Sequence, residues 1–182
     1  MIINKAYIKI ENIKEKNMIE EMLIETFEKI TIIWNDNVAK ITTDNVESFY
    51  LKLKKMVVIS LQDVGLQASI LIVPFFDKLF EKYLNLINND VQTAFESFLK
   101  NSSLEIVKED SRNIINKIKS KDLDTLKAFL ACNCNSSTTA EELFLHRNSF
   151  NYRVNLLERD LNIDIRDINT LMFLNLIINI CA

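Results

Sequence analysis

Residues 137–159, STTAEELFLHRNSFNYRVNLLER, restrict the fold more than any other part of the chain, because they have the pattern of two helices joined by a short turn. Ser137 or Thr138 can accept a hydrogen bond from the free N–H groups that begin a helix. Glu141 follows Thr138 at the spacing of a capping box. A small residue, Ala140, lies in this first helix, where a second helix could cross closely.

The second helix is predicted to begin near Asn148, which can cap it. Its apolar residues recur at intervals of four, three and four positions and form one stripe: Phe150, Val154, Leu157 and Leu161. Polar residues project from the opposite side: Asn148, Tyr152, Asn155 and Arg159. A small alanine, a short turn and a second helix with an apolar back are typical of a helix-turn-helix, which lays its second helix in the major groove of DNA.

The same residues resemble the C-terminal domain of PucR-like transcriptional regulators, relatives of the sugar-diacid regulator CdaR. The resemblance extends from about Leu123 to Cys181 and includes DTLKAFL, an Asn-rich connection, TAEELFLHRNSFNYRV and a closing apolar helix. Two places depart from the family. Residues 132–135, Cys-Asn-Cys-Asn, stand where the family tends to have glycine, and asparagine is the next-best residue for a left-handed turn. Asn151 stands where the family commonly has arginine.

The resemblance implies that the turn and the second helix, residues 148–161, face the bases and phosphates of DNA. The implied DNA-binding residues are His146, Arg147, Asn148, Ser149, Asn151, Tyr152, Arg153, Asn155 and Arg159. For three of these residues, a contact within the protein is the alternative to a DNA contact. Arg147 could pair with Glu142, Arg153 could make a structural contact, and His146 could cap the preceding helix. We expect a homodimer, since two-fold proteins of this class read paired half-sites.

The net charge of this region argues against DNA binding. From residue 122 onward, five basic residues stand against eight acidic ones. The basic residues are Lys127, Arg147, Arg153, Arg159 and Arg166, and the acidic ones are Asp122, Asp124, Glu141, Glu142, Glu158, Asp160, Asp164 and Asp167. Three of the arginines lie between the turn and the end of the second helix, and this distribution favours DNA contact there. The alternative is a protein-interaction module that kept the fold and lost DNA binding.

Residues 1–73 are predicted to form a ferredoxin-like α+β domain with βαββαβ order. The predicted elements are a strand at 5–10, a helix at 12–30, a hairpin of strands 31–34 and 38–42, a helix at 46–63 capped by Asp44 and ended by Gly65, and a buried strand at 66–73. GGDEF-type domains share this order, and regulators similar to CdaR carry a diverged GGDEF-like domain upstream of the helix-turn-helix. The turn at 34–37 has none of the GG[DE]EF residues, so we expect no cyclase and no other enzyme.

Residues 74–121 are predicted to be a helical connector, and residues 122–182 an all-α helix-turn-helix domain. In the connector, Pro74 fits the first turn of a helix, Asp90 caps a shorter helix that ends near Lys100, and a third helix carries an apolar stripe. That stripe could form a dimer seam or pack on the helix-turn-helix. The last helix, 167–181, is apolar on almost every side, so we expect the N-terminal domain or another chain to cover it.

The chain has one glycine, one proline, one histidine and three cysteines. This composition leaves no Gly-rich phosphate loop and no His-based catalytic site, and an odd number of cysteines suits a reducing cytoplasm. The longest apolar stretch, 171–181, is too short to span a bilayer. We therefore expect a cytoplasmic protein with no metal, cofactor or membrane partner. Double-stranded DNA is the expected partner, together with a small-molecule effector whose identity and site the sequence does not give.

Overall fold

The computed structural model describes residues 3–44, 48–59, 65–101 and 103–181, and it divides the chain into two compact units, residues 1–102 and 103–182. This division differs from the expected ranges 1–73, 74–121 and 122–182. The first part of the expected connector belongs to the N-terminal unit, and its last part belongs to the C-terminal unit.

The described part of the N-terminal unit is a mixed sheet with helices. Its elements are β1 (Ile3–Ile10), a short 3₁₀ turn (Ile13–Glu15), α1 (Lys16–Thr26), β2 (Ile30–Asn35), β3 (Val38–Asp44), α2 (Phe49–Ile59), β4 (Ala68–Ile72), α3 (Leu79–Leu84), β5 (Val91–Thr93) and α4 (Ala94–Asn101). The strands form a five-stranded sheet in the order β2-β3-β1-β4-β5, in which β5 is parallel to β4 and the other neighbours are antiparallel. The predicted βαββαβ order is present in β1 to β4, and β5 enlarges the expected four-stranded sheet. Assignment of this unit to the ferredoxin-like or GGDEF-like class remains a prediction.

One face of the sheet forms the main core of this unit. Alternate residues of β1, among them Ala6 and Ile8, are fully buried there. They belong to one apolar cluster with Leu23 of α1 and with Leu53 and Met56 of α2. Alternate residues of a strand point to the same face of its sheet. Because α1 and α2 both contribute to the cluster on this face, they cover the same side of the sheet.

The opposite face carries Tyr7 of β1, whose hydroxyl donates a hydrogen bond to the Asp77 carbonyl over 3.0 Å. The ring of Tyr7 packs edge-on against Phe76, with ring centroids 5.2 Å apart. Burial raises the pKa of Tyr7 to about 12. The ring of Tyr83 in α3 stacks on Phe98 of α4 at 4.3 Å. The segment after β4 therefore folds onto the sheet instead of leaving it as a connector.

One predicted boundary in this unit was wrong, and others lie outside the described residues. The first helix ends at Thr26 and not at residue 30, because Ile30 begins β2. Asp44 is the last residue of β3, where its carboxylate lies 3.8 Å from the Lys29 ammonium, and the N–H groups that it was predicted to cap lie outside the described residues. The ends of the predicted helix 46–63 fall on residues 45–47 and 60–64, outside the described residues. Gly65 has a φ of +71°, but the helix end it was expected to mark lies outside them too.

The segment after β4 also differs from the prediction. Pro74 is not in a helix, because α3 begins only at Leu79. Residues 91–93 form β5 instead of a helix, because they pair with β4 and are buried. The helix that follows begins with a capping box. The Thr93 N–H donates to Glu96 Oε2 over 2.8 Å, and the Glu96 N–H donates to Thr93 Oγ1 over 3.2 Å.

The described part of the C-terminal unit is helical. It contains α5 (Leu104–Ile115), α6 (Ser120–Ala131), α7 (Ser136–Glu142), α8 (Arg147–Leu161) and α9 (Ile168–Cys181). The apolar stripe of α5 packs on α9, with Val107 and Ile114 buried and the Cys181 thiol 3.9 Å from the Lys108 carbonyl. Thus α5 packs within the helix-turn-helix unit. It supplies much of the cover for α9 that we expected from the N-terminal domain or another chain. No helix among the described residues is both long and apolar enough to cross a bilayer.

Candidate nucleic-acid interface

Helices α6, α7 and α8 form the helix-turn-helix predicted from the sequence. The rings of Phe129 in α6 and Phe150 in α8 lie 6.0 Å apart, and Ala140 of α7 is buried, as expected for a residue at a close helix crossing. Val154 and Leu157 are also buried, which confirms most of the predicted stripe, and Leu161 at its end is partly buried. The apolar side of α8 is thereby fixed in the unit, and its polar side is left for a partner.

The N-caps of both helices differ from the prediction. Asn135, not Ser137 or Thr138, caps α7: its Oδ1 accepts the N–H groups of those two residues at 3.0 and 3.1 Å. His146 caps α8, not the preceding helix, and its Nδ1 accepts the Asn148 N–H at 3.2 Å. Asn148 therefore lies in the first turn of α8. Because Nδ1 of His146 is an acceptor, Nε2 carries the ring proton and is the donor that remains for a ligand.

Three helices of this unit end in the same way, with the pair of backbone hydrogen bonds of a Schellman motif. Besides Cys134 (φ 58°) after α6, one residue at the equivalent position of each motif adopts a left-handed conformation. That residue is Asn133 (φ 52°) after α6, Phe144 (φ 53°) after α7 and Asn162 (φ 51°) after α8. The expectation that asparagine can replace glycine in the turn before α7 is confirmed at Asn133.

The predicted DNA-binding residues come together on α8 and the turn before it. Seven of the nine are exposed: His146, Arg147, Asn148, Ser149, Tyr152, Asn155 and Arg159. Asn151 and Arg153 are half-buried at the border of the apolar stripe. The exposed side chains form a polar strip along α8 that begins at its N-terminus. We refer to these seven residues as the α8 face.

The three arginines of α8 differ in what they contact. The Arg147 side chain makes no hydrogen bond or ion pair with any described residue, so the alternative pair with Glu142 is not present among them. Arg153 Nη1 lies 3.5 Å from Thr125 Oγ1 of α6, which favours its structural role. Arg159 Nη2 lies 3.2 Å from the Asp160 carboxylate. Arg147 is therefore the arginine of α8 most available to an anion.

Two carboxylates support the loop that follows α8. Glu158 Oε1 accepts the Ile165 N–H at 3.2 Å, and Asp164 Oδ1 accepts the Arg166 N–H at 2.8 Å. Burial raises the pKa of Glu158, the Ile165 N–H lowers it in part, and the nearby Asp164 charge raises it further. This loop leads the chain from α8 into α9.

Sequence reasoning overlooked Phe144 in the turn between α7 and α8. Its side chain is 96% exposed. Its left-handed backbone costs a residue with a Cβ about 1 to 2 kcal/mol. The pattern offered one signal: Phe144 lies between two leucines, at a position that continues the apolar stripe of neither helix.

The cysteines do not form a metal site among the described residues. Cys132, Cys134 and Cys181 are free thiols. No group of three or more His, Cys, Asp or Glu side chains in the described parts of the chain is arranged to hold a metal ion.

Comparison with known proteins agrees with the geometry of the C-terminal unit. Residues 122–180 match the model of the PucR C-terminal helix-turn-helix domain. The proline-responsive transcriptional activator PutR of Bacillus subtilis (strain 168) is 35% identical over 78 residues, which cover 39% of this chain and 18% of PutR. The chain thus matches less than a fifth of that relative's length.

A solved structure, the regulator of polyketide synthase expression from Bifidobacterium adolescentis, aligns with 98% of this chain and 79% of its own chain at 12% identity. Its TM-score is 0.45, a level from which we draw no conclusion. The family match and the three helices α6, α7 and α8 lie in the same part of the chain, the C-terminal unit. Helices α6, α7 and α8 form a helix-turn-helix in the region that matches the PucR C-terminal domain.

Proposed function

We propose that this chain is a transcriptional regulator of the PucR/CdaR type that binds double-stranded DNA with α8 in the major groove. The observation that carries the proposal is the α8 face: in a domain of the PucR family, the N-terminal residues of the second helix are exposed, polar and unblocked in the described structure. Helix-turn-helix proteins contact base edges with this part of the second helix.

The side chains of the α8 face can contact both the phosphates and the bases of DNA. Arg147 is exposed at the N-terminus of α8, where free backbone N–H groups and a guanidinium together favour a phosphate. Asn148 and Asn155 carry amides of the kind that pair with adenine in the major groove, and Ser149 can bond to several bases. We assign Arg153 and Asn151 to the border of the interface, because both are half-buried.

We further propose that the active species is a homodimer. One copy offers a single arginine on α8 that is not already paired within the described structure, so two copies are needed for a sizeable phosphate footprint. Two-fold symmetry also matches half-sites spaced by a turn of DNA. Sedimentation of the full chain at micromolar concentration tests this, and a monomer that binds one half-site with full affinity would contradict it.

We propose that the N-terminal unit is a diverged, non-catalytic GGDEF-like domain. We also propose that the whole protein is cytoplasmic. The βαββαβ order of β1 to β4 supports the domain assignment. The turn between β2 and β3 lacks the GG[DE]EF residues. We expect no cyclic dinucleotide from GTP in the presence of Mg²⁺ or Mn²⁺, and product formation would contradict this. A small-molecule effector for this unit remains part of the proposal without an assigned site.

The experiment that tests the function is fluorescence anisotropy with DNA from upstream of the protein's own gene and with scrambled DNA, at two salt concentrations. We expect preference for the native fragment and weaker binding at higher salt. The variant Arg147→Ala should reduce binding to both DNAs and lower the slope of log K against log salt by about 1. Arg112→Ala, at an exposed position of α5, is the matched control and should leave both unchanged.

A second function is favoured by the acidic balance of residues 122–182 and by Asn151 at a position where the family commonly has arginine. It is a protein-interaction module with the same fold. Negligible binding to both DNAs by a folded chain would favour this module over the regulator.

A further inference from the structure

We propose that Phe144 is a DNA-contacting residue whose ring packs against deoxyribose and a thymine methyl group at the rim of the major groove. The inference rests on the proposed function, because it requires α8 to bind DNA. It adds an apolar contact, from the turn between α7 and α8, to the polar contacts assigned to the α8 face.

The first argument is the position of the side chain. Phe144 lies two residues before His146, the N-cap of α8, and three before Arg147. It is 96% exposed, more than any other large apolar side chain among the described residues, and the exposed Tyr152 reaches 66%. The N-terminal residues of a recognition helix contact base edges, so the turn immediately before that helix also lies close to the DNA. The ring therefore projects from the segment that enters or borders the groove.

The second argument is the backbone. The Leu145 N–H donates to the Ala140 carbonyl over 2.8 Å, and the Phe144 N–H donates to the Glu141 carbonyl over 3.0 Å. The motifs after α6 and α8 have the same hydrogen bonds and place Asn133 and Asn162 at the left-handed position. Glycine and asparagine suit this conformation, and a bulky aromatic residue does not. The backbone thus gives no reason for phenylalanine at position 144.

Folding gives no reason either, because a ring that is 96% exposed contributes almost no apolar burial. A partner that covers the ring would account for a residue that disfavours its own backbone and is exposed to water. On DNA the apolar surfaces are the sugar faces and the thymine C5-methyl group, and phenylalanine is one of the side chains that contact that methyl. This contact would give sequence preference to a surface with few free arginines.

The test uses the full chain and a duplex that the wild-type protein selects from a random-sequence pool. In Phe144→Asn the affinity should fall about tenfold, the size of one good base contact. The slope of log K against log salt should stay unchanged, because no phosphate contact is removed. The melting temperature should rise by about 2 to 4 °C, because asparagine suits the left-handed backbone. Leu104→Ala, which removes a side chain 61% exposed at the start of α5, is the matched control and should leave affinity unchanged.

A second measurement replaces each thymine of the selected duplex by uracil, which lacks only the methyl group. Wild type should lose affinity at one thymine of each half-site, and Phe144→Asn should be insensitive there. If Phe144→Asn weakens binding with no uracil effect, the thymine-methyl contact is refuted and only the contact with deoxyribose stands.

Three results would overturn the proposal. Equal affinity of Phe144→Asn and wild type for the selected duplex would refute this inference alone. Weaker binding together with a lower melting temperature, repeated in Phe144→Gly, would show a structural role. If the wild-type chain selects no DNA at all, the proposed function fails, and the DNA contact of Phe144 fails with it.

Discussion

The carboxylate of Asp160 lies 3.1 Å from the Lys119 ammonium and so connects the C-terminal half of α8 to the start of α6. The same carboxylate also lies 3.2 Å from Arg159 Nη2. Lys119 and, to a lesser degree, Arg159 hold the pKa of Asp160 below its ordinary value. Exposed ion pairs of this kind add little stability. Their consequence is electrostatic, because Asp160 offsets the charge of an arginine on the α8 face.

Asp160→Asn should therefore strengthen DNA binding. The substitution removes one negative charge beside the proposed interface and frees the Arg159 guanidinium for phosphate. We expect affinity to rise at least about twofold at low salt, and the gain to shrink as salt increases, because screening weakens exposed charges. The measurement is a binding isotherm at several salt concentrations. Glu109→Gln makes the same charge change at an exposed position of α5 and is the control. An equal gain in both variants would mean that net charge alone matters.

His146 is the N-cap of α8, and under the proposed function we expect its Nε2 to contact DNA as well. His146→Ala removes the cap and should cost about 1 kcal/mol of unfolding free energy, the usual loss for an N-cap. His146→Asn restores a capping side chain and should recover that stability. DNA affinity should fall in both variants if Nε2 contacts DNA. Urea unfolding and binding isotherms on the same preparations measure the two effects. Recovery of both stability and affinity in His146→Asn would confine His146 to capping.

Glu158 should make the C-terminal unit sensitive to pH. Because burial raises the pKa of Glu158 in the folded state, protonation of its carboxyl stabilises the fold. This stabilisation is fully present below the pKa of the unfolded state, about 4.3, and is lost as pH rises through the pKa of the folded state. Glu158→Gln keeps an acceptor for the Ile165 N–H and carries no charge. Its melting temperature should exceed that of wild type at pH 7, and the difference should disappear near pH 4. A difference of the same size at both pH values would show that charge is not the cause.

The sequence predicted those parts of the fold in which a periodic apolar pattern meets a buried surface. The stripe of Phe150, Val154 and Leu157, the continuous apolar run of β4 and the hairpin between β2 and β3 are of this kind. Element ends were predicted less well. At positions 135–138 four consecutive residues, Asn-Ser-Ser-Thr, can each cap a helix, and Asn135, which directly follows the left-handed residues Asn133 and Cys134, is the one that does so.

Other features depend on tertiary contacts that a local pattern does not contain. β5 has three residues, too few for any periodicity, and is a strand because it pairs with β4. The pattern of α5 fitted a dimer seam or packing on the helix-turn-helix, and the structure shows packing on α9. For the α8 face, the helical phase identified the exposed side chains correctly. It could not show that Asp160 pairs with Arg159 or that Arg153 turns toward Thr125.

The most direct test of the central claim, that α8 binds in the major groove, is methylation interference on the duplex selected by the full chain. Dimethyl sulfate methylates guanine N7 in the major groove and adenine N3 in the minor groove, so it reports which groove is occupied. We predict interference at guanine N7 in two half-sites separated by about one helical turn, roughly 10 base pairs, or a multiple of it. Interference confined to adenine N3, or none in a duplex that the protein still binds, would contradict the claim.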